Sequence, residues 1–174
     1  HLAVAASLQD LGELAKMQGD LPAAQSALQR SLQMYSKLSG PQSSAASSVM
    51  NELAQVLERR GDFASAEDLY RRAIEIDRAT LGTDHPQVAH NLHNLAVVLQ
   101  ERGDLAGARP FFEQSLIMFR KVLGERHPDT IEALGNYGRY LQGRGELAEG
   151  EKILREALAL DREVRGADHV QVGY

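Results

Sequence analysis

The sequence predicts an all-α protein built from four tandem helix-turn-helix hairpins, and three periodic markers carry that expectation. Gly-Asp or Gly-Glu pairs recur at a step of 42 residues, at Gly19-Asp20, Gly61-Asp62, Gly103-Asp104 and Gly145-Glu146. A second glycine series, Gly40, Gly82, Gly124 and Gly166, keeps the same step. So does a histidine series at His1, His85, His127 and His169, with Ser43 filling the remaining slot. Self-similarity at a fixed period of this length is the signature of stacked repeats. Ala, Leu, Gln, Glu and Arg are abundant and β-branched runs are missing, which favours helices over strands.

The repeats are expected at about 1–42, 43–84, 85–126 and 127–168, in a single array. Residues 169–174 open a further, truncated unit. Solenoid ends need a polar cap to stay soluble, so the chain reads as a fragment of a longer protein, or as one that self-associates through its uncapped ends. In the first repeat Leu8, Leu11-Gly12 and Ala15 mark one helix and Ala24, Leu28 and Ser31 the next. The second repeat fills the same slots with Met50, Leu53-Ala54 and Leu57, then Ala66, Tyr70 and Ala73. In the third, Gly82 suits the left-handed position past a helix end, Asp84 is expected to cap the next helix, and Pro86 fits its first turn. Val88, Leu92, Leu95, Ala96 and Leu99 then form one stripe. Gly103 ends that helix, Asp104 caps its partner, and Phe112, Ser115, Leu116 and Phe119 share a face. The fourth repeat follows with Leu134, Tyr137-Gly138, Leu141, Gly150, Leu154 and Ala157.

Antiparallel helices approach closely only where side chains are small. Four pairs fall at the expected crossing, Gly12 with Ala24, Ala54 with Ala66, Ala96 with Ala108, and Gly138 with Gly150, and all eight residues are Gly or Ala. Pro110 disturbs the pattern. It lies inside a second helix, removes an amide donor, and predicts a kink or an irregular first turn.

The spacing Leu92, Leu95-Ala96, Leu99, Ala108, Phe112, Ser115 resembles the tetratricopeptide repeat. The 42-residue period and the Leu-Gly-x-x-His-Pro joint (Leu81 to Pro86, Leu123 to Pro128) resemble its kinesin-light-chain-like subtype, as does His93-Asn94-Leu95-Ala96. The resemblance covers essentially the whole chain. It implies a right-handed superhelical solenoid whose concave groove is lined by first helices and takes a peptide or protein segment. Carried over by position, the groove holds Gln9, Glu13 and Lys16, then Asn51, Gln55 and Glu58. It continues with His90, His93, Val97 and Gln100, then Glu132, Arg139 and Gln142, and Asn94 stands one position off the line. Asn and Gln carry a donor and an acceptor, so Asn51 and Gln55, one turn apart, match consecutive peptide groups.

Composition narrows the partners. A net charge of −5 gives no support to nucleic-acid binding. No apolar stretch approaches a membrane span. The chain has no cysteine, which excludes thiolate chemistry and fits a reducing, cytoplasmic setting. Nucleotide-binding glycine loops and serine-hydrolase elbows are missing, so an enzyme is not expected, nor a cofactor. Basic groove residues are only Lys16 and Arg139, far apart, and Glu13, Glu58 and Glu132 oppose capture of a terminal carboxylate. A neutral or mildly basic peptide with apolar anchors fits better. His90 and His93 share a helix face, but two nitrogens without a third ligand do not make a metal site. Their protonation near pH 6 is expected to modulate peptide binding. The joint histidines are read as structural, Phe111, Phe112 and Tyr137 as packing residues, and Tyr140 as reaching towards the groove edge. Glu67 and Asp68 are read as exposed. Two alternatives stay open: a structural spacer without a groove ligand, and a sensor module beside a catalytic neighbour.

Overall fold

The chain's local chemistry writes the same turn again and again. In the computed structural model, which describes residues 1–166, eight helices alternate as first and second members of four hairpins. They are α1 (Leu2–Met17) with α2 (Leu21–Leu38), α3 (Ser44–Arg59) with α4 (Phe63–Thr80), α5 (Pro86–Glu101) with α6 (Leu105–Leu123), and α7 (Pro128–Gly143) with α8 (Leu147–Arg165). Inside a hairpin the chain reverses through a glycine in the left-handed region, such as Gly103 at φ 89°. A following carboxylate then caps the second helix: Asp104 Oδ1 accepts from Gly107 N at 2.9 Å, and Asp20 and Asp62 do the same for α2 and α4. Glu146 holds that slot before α8 but makes no cap; its carboxylate accepts from Arg109 and Arg144 instead.

Between hairpins the caps are histidines. His85 Nδ1 accepts from Gln87 N at 3.1 Å and His127 Nδ1 from Asp129 N at 3.2 Å, with Pro86 and Pro128 each opening the helix behind. The joint histidines therefore hydrogen-bond the turn as expected, with Ser43 doing so for α3. His1 precedes α1 without a side-chain cap bond, and His169 lies outside the described residues. The expected cap Asp84 is displaced by His85 and pairs with Lys121 of the next repeat at 2.5 Å.

The small-residue pairs sit where helices of one hairpin cross, and each is fitted to a second partner. A Cβ on Gly138 would lie 2.7 Å from Leu154 Cγ, and one on Gly12 only 2.6 Å from Leu28 Cγ. In the two central hairpins the same first-helix position is Ala54 or Ala96, fully buried, and the residue at the leucine slot is Tyr70 or Phe112. A branched leucine thus goes with glycine, and a flat ring with alanine. Pro110 breaks neither α6 nor its first turn, which stays capped, with Ala108 N bonded to Asp104 O at 3.0 Å. Pro110 and Ala106, whose carbonyl loses its partner, are both exposed, so water can take that place.

Each second helix packs on the next first helix, α2 on α3, α4 on α5 and α6 on α7. One core runs from Ala24 to Ala157 without a break between hairpins. The product is a right-handed superhelical solenoid with no strand among the described residues. Tyr140 belongs to this packing: it is buried, with its hydroxyl donating to Leu105 O at 2.6 Å, and does not reach the groove edge. Phe112 and Tyr137 are buried too, while Phe111 is half-buried beneath the Arg71 guanidinium. Glu67 is half-buried as well, held by Arg71 and by Arg102 of the following hairpin.

Candidate functional site

Neighbouring first helices lie side by side, and polar side chains bridge each gap. Between α1 and α3, Gln9 Nε2 donates to Glu52 Oε1 at 2.6 Å and Lys16 Nζ to Gln55 Oε1 at 2.8 Å. Gln55 Nε2 donates in turn to Asn51 Oδ1 at 2.8 Å, and Asn51 Nδ2 crosses to Asn91 on α5. Asn91 Nδ2 ends the chain on Asp77 Oδ2 of α4 at 2.7 Å. Between α5 and α7, His90 Nε2 lies 3.1 Å from Asp129 Oδ2, and His93 Nε2 lies 2.7 Å from Asn136 Nδ2, which neighbours Arg139. One face of the array is thereby a continuous polar surface over all four repeats.

The residues expected to line a groove fall at three depths. Asn51 and His93 are buried and belong to the seams between repeats. Such positions are free of the small-residue slots, yet they do serve packing. Gln9, Gln55, Glu58, His90, Asn94, Val97 and Gln100 are half-buried, and Glu13, Glu132, Arg139 and Gln142 are exposed. Val97 also rests against the core. The accessible centre of the face is thus Asn94, Val97 and Gln100 on α5, flanked by Glu13 on one side and by Glu132 and Arg139 on the other.

Burial sets the electrostatics. His93 sits edge-on to Phe112 and Phe119, at 5.7 and 6.4 Å between ring centroids. Desolvation, with smaller contributions from His90 and Arg139, lowers its pKa to about 4. His93 therefore keeps a neutral ring near pH 6, against the expectation for the histidine pair. His90 and His93 also point to different partners, Asp129 and Asn136. Among the described residues no three His, Asp or Glu side chains converge as a metal site. Burial raises the carboxyls of Glu52, Glu58 and Asp77, against the opposing pull of Gln9 on Glu52, of Tyr70 on Glu58, and of Ser47, His85 and Asn91 on Asp77.

Sequence reasoning missed Asn91, Asp77 and Asn136. A signal was present for the first two. Asp77 aligns with Tyr35, Phe119 and Asp161, and Asn91 with Ser7, Val49 and Ala133, so each is polar in a slot that two of the three sister repeats fill with an apolar or aromatic residue.

The fold and its seams define a helical repeat scaffold, and the comparisons say which kind. The tetratricopeptide repeat pattern matches residues 44–116 and 90–163, and a second form of it residues 4–45; the chain belongs to the tetratricopeptide repeat family. Its repeat architecture is similar to that of kinesin-light-chain-like repeat proteins. A Podosopora anserina protein described as a kinesin light chain with nearly identical TPR-like repeats superposes with a TM-score of 0.81 at 22% identity, over 94% of this chain and 77% of that one. BtubC (BKLC) from P. vanneervenii gives 0.82 at 20%, over 93% and 64%. The apo form of RapI gives 0.80 at 11%, over 93% and 44%. No curated protein matches. Repeats of this family typically form non-enzymatic scaffolds for protein interaction, and this chain has that architecture. No described helix is long and apolar enough to cross a membrane.

Proposed function

We propose that the first-helix face is the concave groove of a protein-interaction scaffold and binds an extended peptide or partner segment. The observation that carries this is the half-buried row Asn94, Val97 and Gln100, one apolar anchor between two amides at the middle of a polar surface contributed by all four repeats. An amide at each end can pair with a peptide group, and Val97 offers a place for an apolar side chain. Asn51, Gln55 and His93 act from beneath, fixing the spacing of the helices so that the ordering cost falls on the peptide. The partner is a neutral or mildly basic peptide with apolar anchors, met in the cytoplasm, and neither nucleic acid nor membrane belongs to this reading.

Peptides selected from a random library against the chain supply the test. Replacing Asn94, Val97 and Gln100 together by Ala should weaken their binding in fluorescence anisotropy by about tenfold or more, while circular dichroism shows the helices retained. Unchanged affinity would remove the face from consideration, and a library that yields no binder would favour a plain structural spacer.

A further inference from the structure

Three clefts lie between successive second helices, and arginines of the chain itself close two of them. Between α4 and α6, Arg102 reaches back to Glu67 and stands 3.9 Å from the cap carboxylate of Asp104, while Arg71 lies over the Phe111 ring. Between α6 and α8, Arg109 binds the carboxylates of Glu113 and Glu146, each at 2.8 Å. The first cleft, between α2 and α4, is open. Its volume is about 530 Å³, and Gln25, Leu53, Leu57, Asp62, Asp68 and Leu69 line it. Gln25 stands in the slot of Glu67 and Arg109, and Asp62 in the slot of Asp104 and Glu146. Gln25 Oε1 is buried without a hydrogen-bond partner. Asp62 is exposed, and among the described residues its carboxylate receives only Ser65 N. The apolar floor is also less covered: Leu57 is 6% exposed where its counterparts Leu99 and Leu141 are 1% and 0%. Arg60, the counterpart of Arg102, is exposed, since the Glu67 slot offers it a neutral amide in place of a carboxylate.

We propose that this cleft is a second binding site, separate from the first-helix row at Asn94, and that it takes an arginine side chain of a partner protein. The sister clefts supply the template. The guanidinium meets Asp62 as Arg109 meets Glu146, and a further N–H donates to Gln25 Oε1. The methylene stem lies on Leu53, Leu57 and Leu69, where the following cleft holds Arg71 against Phe111. A guanidinium carries five donors in a fixed fork and can serve a carboxylate and an amide oxygen together, whereas an ammonium is a point charge on a flexible stem. Asp68 already pairs with Arg72 at 3.5 Å, so the charge that draws the ligand is that of Asp62. An unpaired buried oxygen is costly, and the incoming donor relieves that cost on binding.

Nuclear magnetic resonance of the full chain, titrated with an end-blocked Ala-Arg-Ala tripeptide, tests this. Saturable shifts are expected at the Gln25 side-chain amide and at the backbone amides of Asp62 and Ser65. The Ala-Lys-Ala tripeptide should bind about threefold or more weaker. Asp62→Asn keeps a capping side chain and removes the charge, so it should weaken the arginine tripeptide about threefold or more. Gln25→Arg places an arginine of the chain's own in the Arg109 slot and should abolish binding at the cleft, with the helices retained in circular dichroism. Binding there that survives Gln25→Arg, ignores Asp62→Asn or treats Arg and Lys alike overturns the proposal, as does the absence of a saturable shift at Gln25. Shifts confined to the residues around Asn94 also overturn it, and they leave the first-helix groove standing.

Discussion

At Gly138 one methyl group is enough to test how hairpins close. Its absent Cβ would fall 2.7 Å from Leu154 Cγ and 3.3 Å from Gly150 O. Helix propensity alone favours Ala over Gly by about 1 kcal/mol, whereas overpacking costs about 1–3 kcal/mol. The clash involves a branch point and a carbonyl, neither of which yields cheaply, so Gly138→Ala should lower stability by about 1 kcal/mol in urea unfolding. Adding Leu154→Phe, the alanine-plus-ring combination of the third hairpin, should recover most of it. Recovery no greater than the sum of the single effects would show that the pairing is incidental. His93 gives a second test. Its native pKa is about 4 against 6.5 for the unfolded residue. As pH falls below 6.5 the unfolded chain gains a proton that the native chain refuses, so His93 removes stability, about 2 kcal/mol between pH 7.5 and pH 5. Glu52, Glu58 and Asp77 work the other way: their raised native values favour the folded state at low pH, an advantage lost as pH rises through them. The measurement is therefore the difference between wild type and His93→Gln at the two pH values. Parallel curves would mean that the ring is not desolvated.

The seam between α4 and α5 poses the question for elements. Asp77 and Asn91 meet there, both buried, where the next seam places Phe119 and Ala133 and the previous one Tyr35 and Val49. Removing one member of a buried polar pair leaves the other unsatisfied, so Asn91→Ala should cost about 2–4 kcal/mol. Exchanging both, Asp77→Phe with Asn91→Ala, copies the following seam but leaves the buried Asn51 amide without its acceptor, so it should recover only part of that loss in thermal unfolding. A double variant as unstable as the single one would show that the slots are not equivalent. These residues also mark how far sequence reasoning reached. Helix limits, hairpin turns and crossing points were legible because each depends on residue types at fixed local spacing: Gly103 with Asp104, or Ala54 with Ala66. The cap at His85 was harder, since Asp84 is the better capper in isolation and only the Pro86 register decides between them. The first-helix face was legible as a face but not in depth. Whether Asn51 reaches solvent or Asn91 depends on the gap between α3 and α5, which no single helix encodes.

For the whole molecule, stability follows from nearest-neighbour stacking, because each hairpin touches only the next. Burial is uneven along the array. Nine residues are buried in α3 and nine in α5, but three in α1 and two in α8. Amide exchange should thus be fastest in α1 and α8 and slowest from α3 to α6, with a gradient instead of one cooperative unit. Uniform protection from end to end would contradict additive stacking. The same uneven wiring decides where the array accepts an insertion. At the joint Leu123–Gly124 the partners Phe119 and Ala133 are apolar, so an extra hairpin spliced there strands no buried carboxylate, although Tyr140 would lose its bond to Leu105 O. At Leu81–Gly82 a newcomer would part Asp77 from Asn91 and leave a buried carboxylate without its donor. Cutting in a turn is worse, for it would separate a leucine from the glycine shaped to receive it. Lengthening this protein is therefore a matter of choosing the right joint and moving whole hairpins.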